Sequence, residues 1–193
     1  MGSEPGTRSQ HADQCLIPGT GFQDGVSANS PVNFGPFATT SFQRLRLLER
    51  YRRIAMVGLS SNQFRPSYFA ATYLLSEGYD VIPVNPREKQ ILGRCCYPNL
   101  AAIPGPVEVV NIFRESSAVP AIVEEAIAAG AKAIWMQLGV IHNAAAARAR
   151  EAGLEVVMDR CMKIEHARFF GGLSTVGLNT GVISARRRVR RSL

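Results

Sequence analysis

From Ser41 onward the chain alternates between two kinds of hydrophobic pattern. Ser41 can cap a helix in which Phe42, Leu45, Leu48 and Tyr51 fall three apart along one stripe, with arginines on the other face. Residues 53–58 then form a short apolar run closed by glycine, which predicts a buried strand. Pro66 suits the first turn of a helix that carries Tyr68, Phe69, Tyr73, Leu74 and Leu75 and stops at Gly78. Residues 79–84 read as a second strand ended by Asn85-Pro86, followed by an irregular stretch containing Cys95, Cys96 and Tyr97. A third apolar strand spans 107–113, after which Ser116 or Ser117 opens a helix with Val119, Ile122, Val123, Ala126 and Ile127, closed by Gly130. Residues 133–137 make a fourth strand, and Asn143 caps an alanine-rich helix ending at Gly153. Residues 155–158 give a fifth strand, and a last helical segment runs from about 162 to 170.

Strands that are apolar throughout and alternate with helices must be covered on both faces. That is the pattern of a parallel α/β sheet with right-handed crossovers. The expectation is a single Rossmann-like, doubly wound domain with a five-stranded parallel sheet in the order 3-2-1-4-5. Residues 1–40 hold six glycines and four prolines without periodicity and read as a disordered extension. The domain is expected over residues 41–185 and a basic tail over 186–193.

Composition narrows the function classes. With 46% hydrophobic and 19% charged residues in 193, the chain has the makings of one packed domain. No run approaches the ~18 apolar residues of a membrane-spanning helix, and the first ten residues lack a secretory pattern, so the cytoplasm is the expected address. Cys15, Cys95, Cys96 and Cys161 show neither a CxxC pair nor a zinc-ligand spacing, which argues against a disulfide framework or a metal site. The formal charge of +7 suggests nucleic acid until it is located. Five of those charges sit in the tail (Arg186, Arg187, Arg188, Arg190 and Arg191), leaving +2 for the rest. The tail reads as a solvated end, without aromatic interleaving or a nucleic-acid fold.

In an open doubly wound sheet, ligands bind beyond the carboxyl ends of the strands where strand order reverses. Gly58 to Arg65 joins the first strand to the first helix, where backbone N–H groups and the helix dipole favour a phosphate. The segment is not GxGxxG: Ser60 and Ser61 replace glycines, although hydroxyls can donate to phosphate and Arg65 adds a charged donor. The second strand ends in Asn85-Pro86-Arg87 with Lys89 close behind, where an NAD site needs a carboxylate. That basic end suits a phosphorylated ribose, as in NADP or coenzyme A (CoA). Phe113-Arg114 and Gln137 to Val140 complete the strand-end segments.

Five of these stretches, taken in order, carry a resemblance. They are residues 54–60, 78–86, 113–114, 135–140 and 157–161, beginning Ile54-Ala55-Met56-Val57-Gly58 and ending Asp159-Arg160-Cys161. Together, over about residues 41–185, they resemble the small stand-alone CoA-binding proteins, whose domain is similar to the CoA-binding domain of the succinyl-CoA synthetase α-subunit. The resemblance implies CoA or an acyl-CoA as ligand, with its diphosphate over the first loop. It implies Ser60, Ser61 and Arg65 at the phosphates, with Gly58 opening that cofactor-binding loop, and Asn85, Arg87 and Lys89 around the ribose phosphate. Phe113 and Arg114 then lie beside the adenine, and Gln137 contributes a further donor.

Catalysis is not expected. Cys161 with Glu165 and His166 could be read as a Cys/His nucleophilic pair, but a strand end followed by a capped helix with an ordinary ion pair accounts for the same residues. Trp135 reads as core. An NADP-dependent oxidoreductase or another nucleotide-cofactor enzyme is the alternative, and it needs a catalytic acid and a substrate domain that these residues do not supply.

Overall fold

The structure, a computed structural model, describes residues 39–171. The basic tail, the last part of the expected domain and all but the final two residues of the expected extension lie outside them. Helix α1 (Ser41–Arg50) leads into β1 (Arg53–Val57), α2 (Pro66–Ser76) and β2 (Asp80–Val84). The short strands β3 (Gln90–Ile91) and β4 (Arg94–Cys95) precede β5 (Val109–Ile112), α3 (Val119–Ala128) and β6 (Ala133–Met136). Helix α4 (Asn143–Glu151), β7 (Glu155–Val157) and α5 (Met162–Phe170) complete the order.

Five strands form a parallel sheet in the order β2-β1-β5-β6-β7. Alternate strand residues point to opposite faces. Ile54, Met56, Val109, Ala133 and Trp135 pack with Leu48 of α1, Ala71 and Leu74 of α2 and Met162 of α5. Ala55, Val110, Ile112 and Ile134 pack with Val119 and Val123 of α3 and Ala146 and Ala149 of α4. The class is therefore the expected doubly wound α/β fold.

The strand order needs correction. Counting only the five main strands it is 2-1-3-4-5, not 3-2-1-4-5, because β5 pairs with β1 and leaves β2 at the edge. Pro83 carries the physical reason, since proline inside a sheet is tolerated at an edge. The Pro83 carbonyl points outward and accepts from Tyr97 N at 3.0 Å, and its ring nitrogen shares that side, so no ladder bond to β1 is lost. The reversal of strand order thus falls between β1 and β5.

Local details differ from the sequence expectation in instructive ways. Thr40, not Ser41, caps α1 through a capping box: Gln43 N donates to Thr40 Oγ1 at 3.2 Å and Thr40 N to Gln43 Oε1 at 2.8 Å. The helix buries Arg44, Leu47 and Leu48, and Phe42 is 65% exposed. A stripe drawn strictly every third residue drifts off a 3.6-residue period, whereas 44, 47, 48 and 51 follow it. His142 replaces Asn143 as the cap of α4, its Nδ1 accepting from Ala145 N at 3.1 Å. The stretch expected to be irregular holds the β3–β4 hairpin, turned by Leu92 and Gly93, both at positive φ.

Candidate functional site

A cleft of about 1230 Å³ opens along the carboxyl ends of the sheet strands. Its walls come from the loops after β1, β2, β5 and β6, the first turns of α2 and α5, and the flank of α3. Gly58 sets the contact between the first and third of these loops. Its φ is +86°, and a Cβ there would lie 2.9 Å from the Phe113 carbonyl oxygen and 2.9 Å from Arg114 Cδ. No side chain fits.

Of the residues singled out from the sequence, Gly58, Ser60, Arg65, Asn85, Arg87, Phe113, Arg114 and Gln137 line this cleft. Ser61 and Lys89 do not. Ser61 Oγ instead donates to Glu88 Oε1 at 2.7 Å, and Lys89 is exposed next to the β3–β4 hairpin. Several polar side chains are occupied in shaping the loops. Ser60 Oγ accepts from Asn62 N at 3.2 Å, buried Ser67 accepts from Ser60 N at 3.3 Å, and Asn62 Oδ1 accepts from Phe64 N at 2.9 Å. Asn85 Nδ2 donates to the Leu59 carbonyl at 2.9 Å, while its Oδ1 accepts from Arg87 N at 3.0 Å. Asn85 therefore holds the loop after β1 against the loop after β2. Gln137 is buried and donates through Nε2 to Oδ1 of fully buried Asn111 at 2.7 Å, and Asn111 in turn reaches Met162 Sδ. That buried polar pair was not apparent from the apolar run around residue 111.

The charge of the lining is one-sided. Arg65, Arg87, Arg114 and Lys163 face it against a single carboxylate, Glu125, which accepts from Leu100 N at 3.4 Å. Arg114 Nη2 also donates to exposed Glu115 at 2.8 Å, and this bond holds the Glu115 carboxyl below its ordinary range. A cleft with such an excess concentrates anions. The cleft also displays apolar groups that periodicity alone assigned to helix interiors or loops: Phe64, Phe69 and Leu138 are 78%, 53% and 64% exposed.

Cys161 precedes α5 and lines the cleft, half-buried, but it does not pair with His166. His166 Nδ1 lies 3.0 Å from the Tyr73 hydroxyl, and its ring packs against Tyr73, Tyr79 and Phe170. Burial, with a smaller contribution from Arg52, pushes its pKa down to about 4. The neighbouring tyrosines are pushed up to about 12, mainly by burial. Glu165, on the same turn, is buried and bonded to Arg44 Nε at 2.8 Å and Arg168 Nη1 at 2.9 Å.

The depressed His166 has a consequence for stability. Between pH 6.5 and about 4 the unfolded ring takes up a proton that the folded ring refuses, so stability falls as pH is lowered through this window. The loss is expected to be roughly 2–3 kcal/mol, seen as a declining urea midpoint, and the decline becomes shallower in His166→Gln. An unchanged pH profile in that variant contradicts the assignment.

Comparison with known proteins gives the following likenesses. A family profile described as a CoA binding domain matches residues 52–167. The protein YneT of Bacillus subtilis (strain 168) is 38% identical over 121 residues, covering 63% of this chain and 90% of its own. A hypothetical protein from Pyrococcus horikoshii OT3 superposes with a TM-score of 0.68 at 41% identity, over 70% of this chain and 96% of that one. The apo form of a dinucleotide-forming acetyl-coenzyme A synthetase from Ca. Korarchaeum cryptofilum gives a TM-score of 0.53 at 25% identity, over 60% of this chain and 28% of the synthetase.

Proposed function

The chain belongs to the CoA binding domain family, and from that premise we propose that its cleft binds coenzyme A as a non-catalytic module. The observation that carries the reading is the convergence of Arg65, Arg87 and Arg114 on a cleft at the point where strand order reverses. In this reading the diphosphate lies over residues 58–65, beside the start of α2 and the Arg65 guanidinium. Arg87 meets the 3′-phosphate of the ribose, and Phe113 and Arg114 flank the adenine. Asn85 acts as a positioning residue, because both ends of its amide are spent on the two loops. Ser61 and Lys89 have no direct part.

The inventory of reactive groups supports a binding role. Ser60 is engaged with Asn62 N, and the histidine nearest Cys161 in sequence is held by Tyr73. An unassisted hydroxyl is a poor nucleophile towards a thioester, and the Cys161 thiol is not paired with His166.

Calorimetric titration tests the reading. CoA is expected to bind about ten-fold more tightly than dephospho-CoA, the loss of one charge-assisted pair. Arg87→Ala should erase that difference, and acetyl-CoA should be recovered intact from the cell. Equal affinities for the two ligands overturn the role of Arg87. The same basic end of β2 would also suit the 2′-phosphate of NADP, so tighter binding of NADP than of CoA decides for that second reading.

A further inference from the structure

We infer that the β6–β7 end of the cleft holds an apolar acyl group, so that the ligand is a CoA thioester carrying a medium-length hydrocarbon chain in preference to free CoA. This rests on the cleft being a CoA site. The cleft is polarised along the sheet. Of the four cations lining it, Arg87, Arg65 and Arg114 follow β2, β1 and β5, whereas Leu138 and Cys161 follow β6 and β7, and the fourth, Lys163 on α5, has its ammonium over the Tyr73 ring. Strands about 4.8 Å apart put roughly 19 Å between the two ends. A ligand matching this groove is anionic at one end and uncharged at the other.

The far end is built from three elements. Phe69 lies one turn before Tyr73 on α2, and Tyr73 touches α5 through His166 and lies under the Lys163 ammonium, 6.0 Å from the ring centroid. Phe69 therefore stands beside the first turn of α5, where Ile164 and Cys161 face the cleft. Leu138 projects from the loop after β6, whose Gly139 N is held by Asp159 Oδ1 at 2.8 Å. Five large apolar side chains are exposed among the described residues, and three of them, Phe64, Phe69 and Leu138, are on this cleft. Apolar surface gathered in one groove, continuous with a cationic end, marks a binding site and not scattered exposure.

The test uses the full chain titrated with CoA, acetyl-CoA and octanoyl-CoA below its micellar concentration. Octanoyl-CoA should bind at least about ten-fold more tightly than CoA, with acetyl-CoA within about three-fold of CoA. In the double variant Phe69→Gln/Leu138→Asn the octanoyl advantage should shrink to about two-fold while CoA affinity holds. Both side chains are exposed, so folding is unaffected. Equal binding of CoA and octanoyl-CoA overturns the acyl site and leaves the CoA site standing, as does an advantage that survives in the double variant. Failure of every CoA species to bind overturns the CoA site itself.

Discussion

Gly58→Val is expected to lower the unfolding free energy by about 3–5 kcal/mol and to abolish nucleotide binding. Two costs add. A β-branched residue at φ +86° is a backbone outlier, worth about 1–2 kcal/mol for the left-handed conformation alone. Its Cβ would also start 2.9 Å from the Phe113 carbonyl oxygen, so the loop after β5 must move, at about 1–3 kcal/mol for overpacking. The same displacement shifts Arg114 and opens the cleft at the place where the strand order reverses. Urea denaturation and calorimetry with CoA measure the two effects. A variant that loses little stability and binds normally contradicts the contact between these loops.

Arg44→Met is expected to cost about 3 kcal/mol although Arg44 precedes residue 52, where the family match begins. Arg44 and Glu165 have side chains 7% and 2% exposed and are bonded at 2.8 Å between α1 and α5. Removing the guanidinium leaves a buried carboxylate with only Arg168, and breaking a buried pair on one side is far costlier than replacing both partners. The guanidinium also donates to the Thr39 carbonyl and, at 3.2 Å, to Ser41 Oγ, so the start of α1 loosens with it. The double variant Arg44→Met/Glu165→Met should recover most of the loss. If the double variant is no more stable than the single one, the cost does not lie in the unpaired carboxylate.

The five strands of the main sheet and the long helices were legible because each is announced by an apolar run or by the residues at its ends, as Pro66 and Gly78 bracket α2, whereas the two-residue strands β3 and β4 were too short to announce themselves. Strand order was not, since runs of similar apolar residues do not state their partners. Pro83 carried the usable signal: a strand with proline at its fourth position belongs at an edge. The cleft-lining residues at the strand ends were legible because a doubly wound sheet puts every carboxyl end on one side. Ser60 and Ser61 could not be separated, because which of two adjacent hydroxyls turns inward depends on a glutamate 27 residues away from Ser61. Arg44 and Glu165 are 121 residues apart and both charged, and no local pattern announces that they bury each other. The apolar end of the cleft escaped for a similar reason, since Phe69 satisfies a helical period equally well when it faces solvent.

The amide of Asn85, bonded to Leu59 O on one side and Arg87 N on the other, bears on the speed of binding as well as its strength. Arg65 and Arg87 sit on loops already fastened to one another, so in the proposed complex an arriving nucleotide would find its cationic partners in place and need not wait for a segment to order. Capture is then governed by diffusion and by attraction between opposite charges, which added salt weakens. Ligands that share the nucleotide end would enter at similar rates, and differences among them would be expressed in how long each one stays.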